Sequence, residues 1–210
     1  MQRKSTRTTR QRVLGSATEL TLERGFAAVS LKDIEKHSGV SNGSIFHHFG
    51  SKDGILRELF VAERRAYLGA VGEAILGFDG DPITAFGEGA RAALRYHTDH
   101  RQRYRRLIVE FNVSDWLHDN AELWSELAID LQQPVVDWAV PHLAAARLPL
   151  LAPSLFQALM LGPPEAITRQ WLAGRLVGQP IDYGDLIANF VAGGLRAQLG
   201  RPQAQFATDR

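Results

Sequence analysis

Apolar residues return with a helical period along almost the whole chain, and the breaks between the periodic runs define the elements. Over 9–24, Val13, Leu14, Ala17, Leu20 and Thr21 recur at spacings of three and four, and Gly25 follows as a C-terminal stop. A short second helix is predicted at about 31–37. It is opened by Ser30-Leu31-Lys32-Asp33, a capping box with Asp where Glu is usual, with Val29 and Ile34 placed as its hydrophobic staple. Ser41 can cap a third helix at about 42–48, stapled by Val40 and Ile45, and Ser51 a fourth at about 52–76. The stripe of the fourth is Ile55, Leu56, Leu59, Phe60, Tyr67, Val71 and Ile75. Gly77–Pro82 breaks the pattern, which resumes at about 83–98, 101–117, 120–146, 153–174 and 183–199. Strand alternation is absent. The expected fold is all-α with about nine helices: a three-helix head over 1–52, then a long connecting helix and a helical body over 53–210.

Two short helices joined by a tight turn through Ser38-Gly39-Val40 form a helix-turn-helix, whose second helix enters the major groove of DNA while the first braces it. Leu31, Ile34, Val40, Ile45 and Phe49 can form the small core beneath. Asn42, Gly43 and Ser44 then lie at the start of the third helix, facing out. Asn pairs best with adenine, Ser bonds bases permissively, and Gly lets the backbone come close. Ser30, Lys32 and Lys52 stand at helix starts, where free N–H groups and positive charge suit a phosphate.

Charge sharpens this picture. The net charge of +1 hides an asymmetry: residues 1–52 hold nine Lys and Arg against four acids, while the remainder holds fifteen against nineteen. All four lysines lie in the first part. A basic head on a mildly acidic body suggests binding to a polyanion, although an unevenly charged solvated surface would look the same. The run Arg3–Arg12 reads either as a solvated arm or as an extension along the DNA backbone or minor groove. The composition, 45% hydrophobic and 22% charged, is that of a globular protein, and no run approaches a membrane span. There is no cysteine, so disulfides and thiolate metal sites do not arise. With no apolar leader after the basic start, a cytoplasmic protein with no membrane partner is expected.

Residues 9–56 closely resemble the DNA-binding head of the TetR family of transcriptional regulators. The likeness rests on Glu23-Arg-Gly-Phe26, Ser30-Leu-Lys-Asp-Ile34, Ser38-Gly-Val-Ser41, Ser44-Ile-Phe-His-His-Phe49 and Ser51-Lys52. It implies contacts to operator DNA at Lys32, Ser41, Asn42, Gly43, Ser44, Phe46, His47, His48 and Lys52. Phe46 stands where the family usually has Tyr, so a hydroxyl that would reach a phosphate is absent. His47 and His48 also admit a plain reading as surface residues of a short helix. The body resembles the family mainly in Leu159–Gly174, which looks like its eighth helix.

The aromatic residues of the body lie on helical stripes and read first as core. The resemblance implies that the same residue types line an apolar cavity for a small-molecule effector, and Phe111, Trp116, Trp138, Phe156 and Met160 are the candidates, with Tyr104, His97, Asn112 and Gln157 as polar anchors. Arg101, Arg103, Arg105 and Arg106 form a charge run that reads as a solvated helix face or, beside a cavity, as an acid-binding one. His97, Asp99 and His100 resemble a metal cluster in type only, and no metal or cofactor is expected. Gly87–Ala92 matches a dinucleotide-binding glycine pattern but follows no strand, which rejects it. Gly162-Pro163-Pro164 should kink or split the eighth helix. Leu155 and Leu159 on that helix, with Ile187, Phe190, Val191, Gly194 and Leu195 on the last, are the candidate interface of a homodimer, or else pack within one chain.

The expected function is a dimeric, ligand-responsive DNA-binding regulator, most simply a repressor released by its effector. The alternatives are a helical enzyme carrying a DNA-binding-like head and an architectural DNA binder with no effector. No nucleophile paired with a base, no metal set and no phosphate loop stands in 80–210, which weighs against the enzyme.

Overall fold

The computed structural model describes residues 2–110, 122–145 and 153–199. Among them the chain forms nine α-helices and no strand: α1 Gln2–Arg24, α2 Leu31–Ser38, α3 Asn42–Phe49, α4 Lys52–Leu76, α5 Pro82–Asp99, α6 Arg101–Tyr104, α7 Glu122–Ala145, α8 Pro153–Leu172 and α9 Gly184–Arg196. They fall into two compact units. One takes the described residues of Met1–Arg65 and Arg101–Ala121, the other those of Ala66–His100 and Glu122–Arg210. The continuous helix α4 belongs to both, its first part to one unit and its last part to the other.

In the first unit, short-range chemistry sets the helix ends. The Asp33 N–H donates to Ser30 Oγ at 3.1 Å and the Ser30 N–H to Asp33 Oδ2 at 2.9 Å, the reciprocal capping box. The Asp33 carboxyl is held below its ordinary value, first by the Ser30 hydroxyl and then by the Ser30 backbone N–H. Ser41 Oγ accepts from the Ser44 N–H and Ser51 Oγ from the Gly54 N–H. Gly39 at φ 63° and Gly50 at φ 71° end α2 and α3 in the left-handed region that only glycine adopts cheaply. Val29, Ile34, Val40, Ile45 and Phe49 are all buried, as are Ile55, Leu56, Leu59 and Phe60 from α4, and Leu31 is half-buried.

Two expectations change here. The first helix begins at Gln2, well before residue 9. The described part of the helix expected at 101–117 is four α residues followed by a π-helical turn over Arg105–Val109, closed by the Glu110 N–H donating to Arg105 O, and positions 111–117 lie outside the described residues. Two members of the arginine run make structural contacts: Arg103 Nε meets the wholly buried Glu63 carboxylate at 2.8 Å, and Arg106 Nη1 donates to Glu110 at 2.9 Å. A carboxylate out of water persists only when such a partner compensates its lost hydration.

The second unit is built on α5. Asp81 caps it by accepting from the Thr84 N–H and hydroxyl, Pro82 sits at its first position, and Arg196 of α9 reaches the same carboxylate at 2.7 Å. Gly87 and Gly89 set how close its neighbours come. A Cβ on Gly87 would lie 2.5 Å from the Ala188 carbonyl oxygen of α9, and one on Gly89 2.6 Å from Ile75 Cγ1 of α4. The glycine pattern that suggested a nucleotide loop is thus a helix-packing device. Phe86 anchors the core, edge-on to Trp138 at 5.7 Å and to Phe156 at 4.8 Å.

Pro163 and Pro164 do not split α8, which runs unbroken from Pro153 to Leu172. Past the prolines, the Thr168 hydroxyl donates to Pro164 O at 2.9 Å. Its single proton is thereby committed, so the buried His97 Nδ1–H donates to Thr168 Oγ at 2.7 Å and ties α5 to α8. Tyr67 stacks on the His97 ring at 4.9 Å. His97 is therefore a packed core histidine, and among the described residues no group of three or more His, Cys, Asp or Glu is placed to hold a metal.

Candidate nucleic-acid interface

The head presents α3 as a two-turn helix with one apolar and one polar side. Ile45 and Phe49 point into the core, whereas Ser41, Asn42, Gly43, Phe46 and His47 are exposed and Ser44 and His48 half-buried. Phe46, 64% exposed, is a large aromatic ring left in water, which costs apolar hydration unless a partner covers it. Around Gly43 the space is empty: a Cβ there would meet nothing within 4 Å. No neighbour inside the protein requires glycine at that position, in contrast to Gly87.

Both ends of α3 are held from outside the helix. At its start the Asn42 N–H donates to the Glu35 carboxylate of α2 at 3.0 Å, placing a negative group at the positive end of the helix dipole. At its end Arg10 of α1 donates to His48 O at 2.8 Å, and its guanidinium lies 4.9 Å from the centre of the Phe49 ring. The other arm of that guanidinium pairs with Glu58 of α4. Arg12 does the same service for α2, donating to Ser38 O at 2.6 Å. Arg10 and Arg12 escape sequence reasoning because they are separated by 26 to 48 positions from the groups they meet.

The other candidates lie around α3. Lys32 is exposed in the first turn of α2, and the Ser30 hydroxyl donates to Asp33 at 2.6 Å. Lys52 opens α4 with its ammonium 4.6 Å over the Phe26 ring, a cation–π contact that orders the side chain without consuming its charge. The His47 and His48 rings meet edge to face at 5.2 Å.

The ligand candidates divide. Trp138 and Phe156 meet around Phe86, and Met160 belongs to the same core, all in the second unit. Tyr104 is buried in the first unit. Phe111, Asn112 and Trp116 lie outside the described residues. The dimer candidates divide as well. Leu155, Leu159 and Phe190 are exposed, the last by 64%, and Gly194 is exposed with nothing within 4 Å of a Cβ. Ile187 and Val191, expected on an outer face, are instead buried in the chain's own core, with Leu195 packed against it. Leu186, 63% exposed, takes their place on the outward stripe of α9.

Comparison with known proteins agrees with this geometry. Residues 13–59 match the bacterial regulatory proteins of the tetR family. The chain is 35% identical over 69 residues to the HTH-type transcriptional regulator UidR of Escherichia coli K12, an overlap of 33% of this chain and 35% of that one. It is 28% identical over 134 residues to the HTH-type transcriptional repressor AcnR of Corynebacterium efficiens, covering 62% and 61%. It therefore spans about a third of the length of the first of these relatives. By fold it is similar to the transcriptional regulator FadR from Bacillus subtilis, solved in complex with stearoyl-CoA, with a TM-score of 0.66, 13% identity and coverage of 88% and 98%. The helix-turn-helix and its caps thus coincide with the stretch, residues 13–59, that matches the DNA-binding head of the tetR family of bacterial regulatory proteins.

Proposed function

We propose that the chain is a cytoplasmic, non-enzymatic homodimeric repressor that binds double-stranded operator DNA through α3 and releases it when a small molecule enters the helical body. The observation that carries the DNA reading is α3 itself, held at both ends while its outer side offers Asn42, an unobstructed Gly43 and an uncovered Phe46. Lys32, Lys52 and His48 serve as phosphate partners, Ser30 having given both its N–H and its hydroxyl to Asp33, and Ser41, Ser44 and His47 border the base edges. Lacking a hydroxyl, Phe46 packs on the sugar-phosphate backbone or a thymine methyl.

Leu155 and Leu159 of α8 and Leu186 and Phe190 of α9 support a two-fold interface, since large apolar side chains standing in water invite a covering surface. A dimer sets two recognition helices about 34 Å apart or somewhat more, which calls for a near-palindromic site. Phe86, Trp138, Phe156 and Met160 supply an apolar, aromatic environment suited to an organic effector. The repressor and the ligand complex among the similar proteins agree with this reading. Because α4 is one helix common to both units, an effector that shifts its body half alters the head, and the coupling is reciprocal, of about 1–3 kcal/mol.

The test starts from a duplex that the wild-type protein selects from a random-sequence library. Gly43→Ala leaves stability unchanged or raises it by up to about 1 kcal/mol, yet weakens binding to that duplex about tenfold, because the added methyl meets DNA and nothing else. Lys52→Ala weakens all duplexes alike and flattens the salt dependence by about one phosphate contact, while Asn42→Ala relaxes preference at a single base pair. Three variants that bind the selected duplex like wild type would refute this docking.

A further inference from the structure

We infer that Arg10 is a positioning residue for operator recognition, fixing the C-terminal end of α3 without itself touching DNA. The inference rests on the DNA-binding reading and adds to it a determinant outside the helix-turn-helix. Helix α3 has eight residues, so half of its carbonyls lack an intrahelical partner. The Gly50 N–H closes on Phe46 O at 2.8 Å, and Arg10 Nη1 takes His48 O at 2.8 Å. A guanidinium at this end also opposes the negative pole of the helix dipole. The same group spans three elements. It rises from α1, covers the Phe49 ring and pairs with Glu58 of α4. The contact runs onward, since Phe49 meets His48 edge to face at 6.4 Å and His48 meets His47 at 5.2 Å. Arg10 thus sets the position of the two histidines that flank the outer face.

The geometric argument is one of leverage. An eight-residue helix is about 12 Å long, and hydrogen bonds to base edges tolerate displacements of only about 0.5 Å. A helix held at one end alone does not keep that tolerance at the other. Arg10 is suited to the task because its planar fork addresses a carbonyl and a carboxylate at once, which a lysine ammonium does not reproduce. Its guanidinium is committed to His48 O, Glu58 and Phe49 rather than free for a phosphate.

The experiment measures binding of the full-length protein, at several salt concentrations, to the duplex selected by wild type and to a scrambled duplex of equal length. Arg10→Gln is expected to lose about tenfold on the selected duplex, hold the scrambled one within about twofold, and keep the wild-type salt slope. Arg10→Lys keeps the charge and should remain weakened. Glu58→Gln supplies the decisive sign: removing an acid from a basic head strengthens binding to DNA in general, whereas loosening the clamp weakens binding to the selected duplex about threefold. Equal loss on both duplexes with a shallower salt slope would make Arg10 a phosphate contact and overturn the inference. So would a lowered melting temperature with unchanged affinity, which marks a purely structural role, or a Glu58→Gln protein that binds the selected duplex as well as wild type. If Arg10→Gln does not fold, Arg10→Lys and Glu58→Gln decide. A wild-type protein that selects no sequence overturns the DNA-binding reading itself, and this inference with it.

Discussion

Adding one methyl group at Gly87 should destabilise the protein, although alanine is the better helix former. In an open helix interior Gly→Ala is worth about 1 kcal/mol through the unfolded chain's lost freedom. At Gly87 the new Cβ would lie 2.5 Å from Ala188 O, 3.1 Å from its carbonyl carbon and 3.3 Å from its Cα, and all three atoms are backbone. No side chain can turn away, so α5 and α9 must part by about 0.9 Å to restore ordinary contact, which begins near 3.4 Å. A gap of that size forfeits a quarter to a half of each dispersion contact along the seam, and overpacked cores lose about 1–3 kcal/mol. The expected net effect is a loss of about 2 kcal/mol. Gly69 on α4 is the control: its Cβ would meet nothing within 4 Å, and Gly69→Ala should gain up to about 1 kcal/mol. Urea unfolding followed by far-ultraviolet circular dichroism, at equal protomer concentration, compares the two. A Gly87→Ala midpoint equal to or above wild type would refute the reasoning, because it would mean α9 yields at no cost.

Arg103→Met should cost about 2 kcal/mol in the same assay, less than a fully enclosed ion pair because the Arg103 side chain is 39% exposed, while Arg103→Lys should cost less. Phe190→Asp should yield monomers by sedimentation at micromolar concentration and weaken operator binding at least about a hundredfold, as the two heads lose their linkage. The Asp81 carboxyl, held below its ordinary value first by the Thr84 hydroxyl and then by Arg196, adds stability that is complete above the unfolded value near 3.9 and is lost as pH falls through the lower folded value. The stability gap between wild type and Asp81→Asn should therefore be constant from about pH 5 to 8 and shrink below about pH 4, as read from urea midpoints.

What the sequence discloses here is what short-range chemistry decides. Ser30 and Asp33, Ser41 and Ser44, Ser51 and Gly54 lie three residues apart, so their caps are visible as local patterns. The apolar members of the α4 stripe are legible for the same reason, whereas Glu63 and Arg64, buried on the same helix, are not. On α9 that logic fails. Leu186 and Phe190 form one apolar row and Ile187 and Val191 another, and period alone does not say which row faces the chain's own core. The prolines of α8 pointed to a kink or a split, and the continuous helix removes only the split, because the backbone bonds that proline loses are local. Glu35, Arg10 and Arg12 gave no signal, since a long charged side chain reaches its partner only after the fold exists.

The two arginines of α1 also bear on transplanting this head into another protein. The stretch that matches the family begins at residue 13, just past both of them. A chimera built on that stretch would inherit the capping serines, the stapling valines and the whole outer face of α3. It would leave Ser38 O and His48 O, near the ends of α2 and α3, without the donors that now hold them. Such a graft would have to start at Arg10 or earlier, or find substitutes on its host, before its recognition helix stood where this one does.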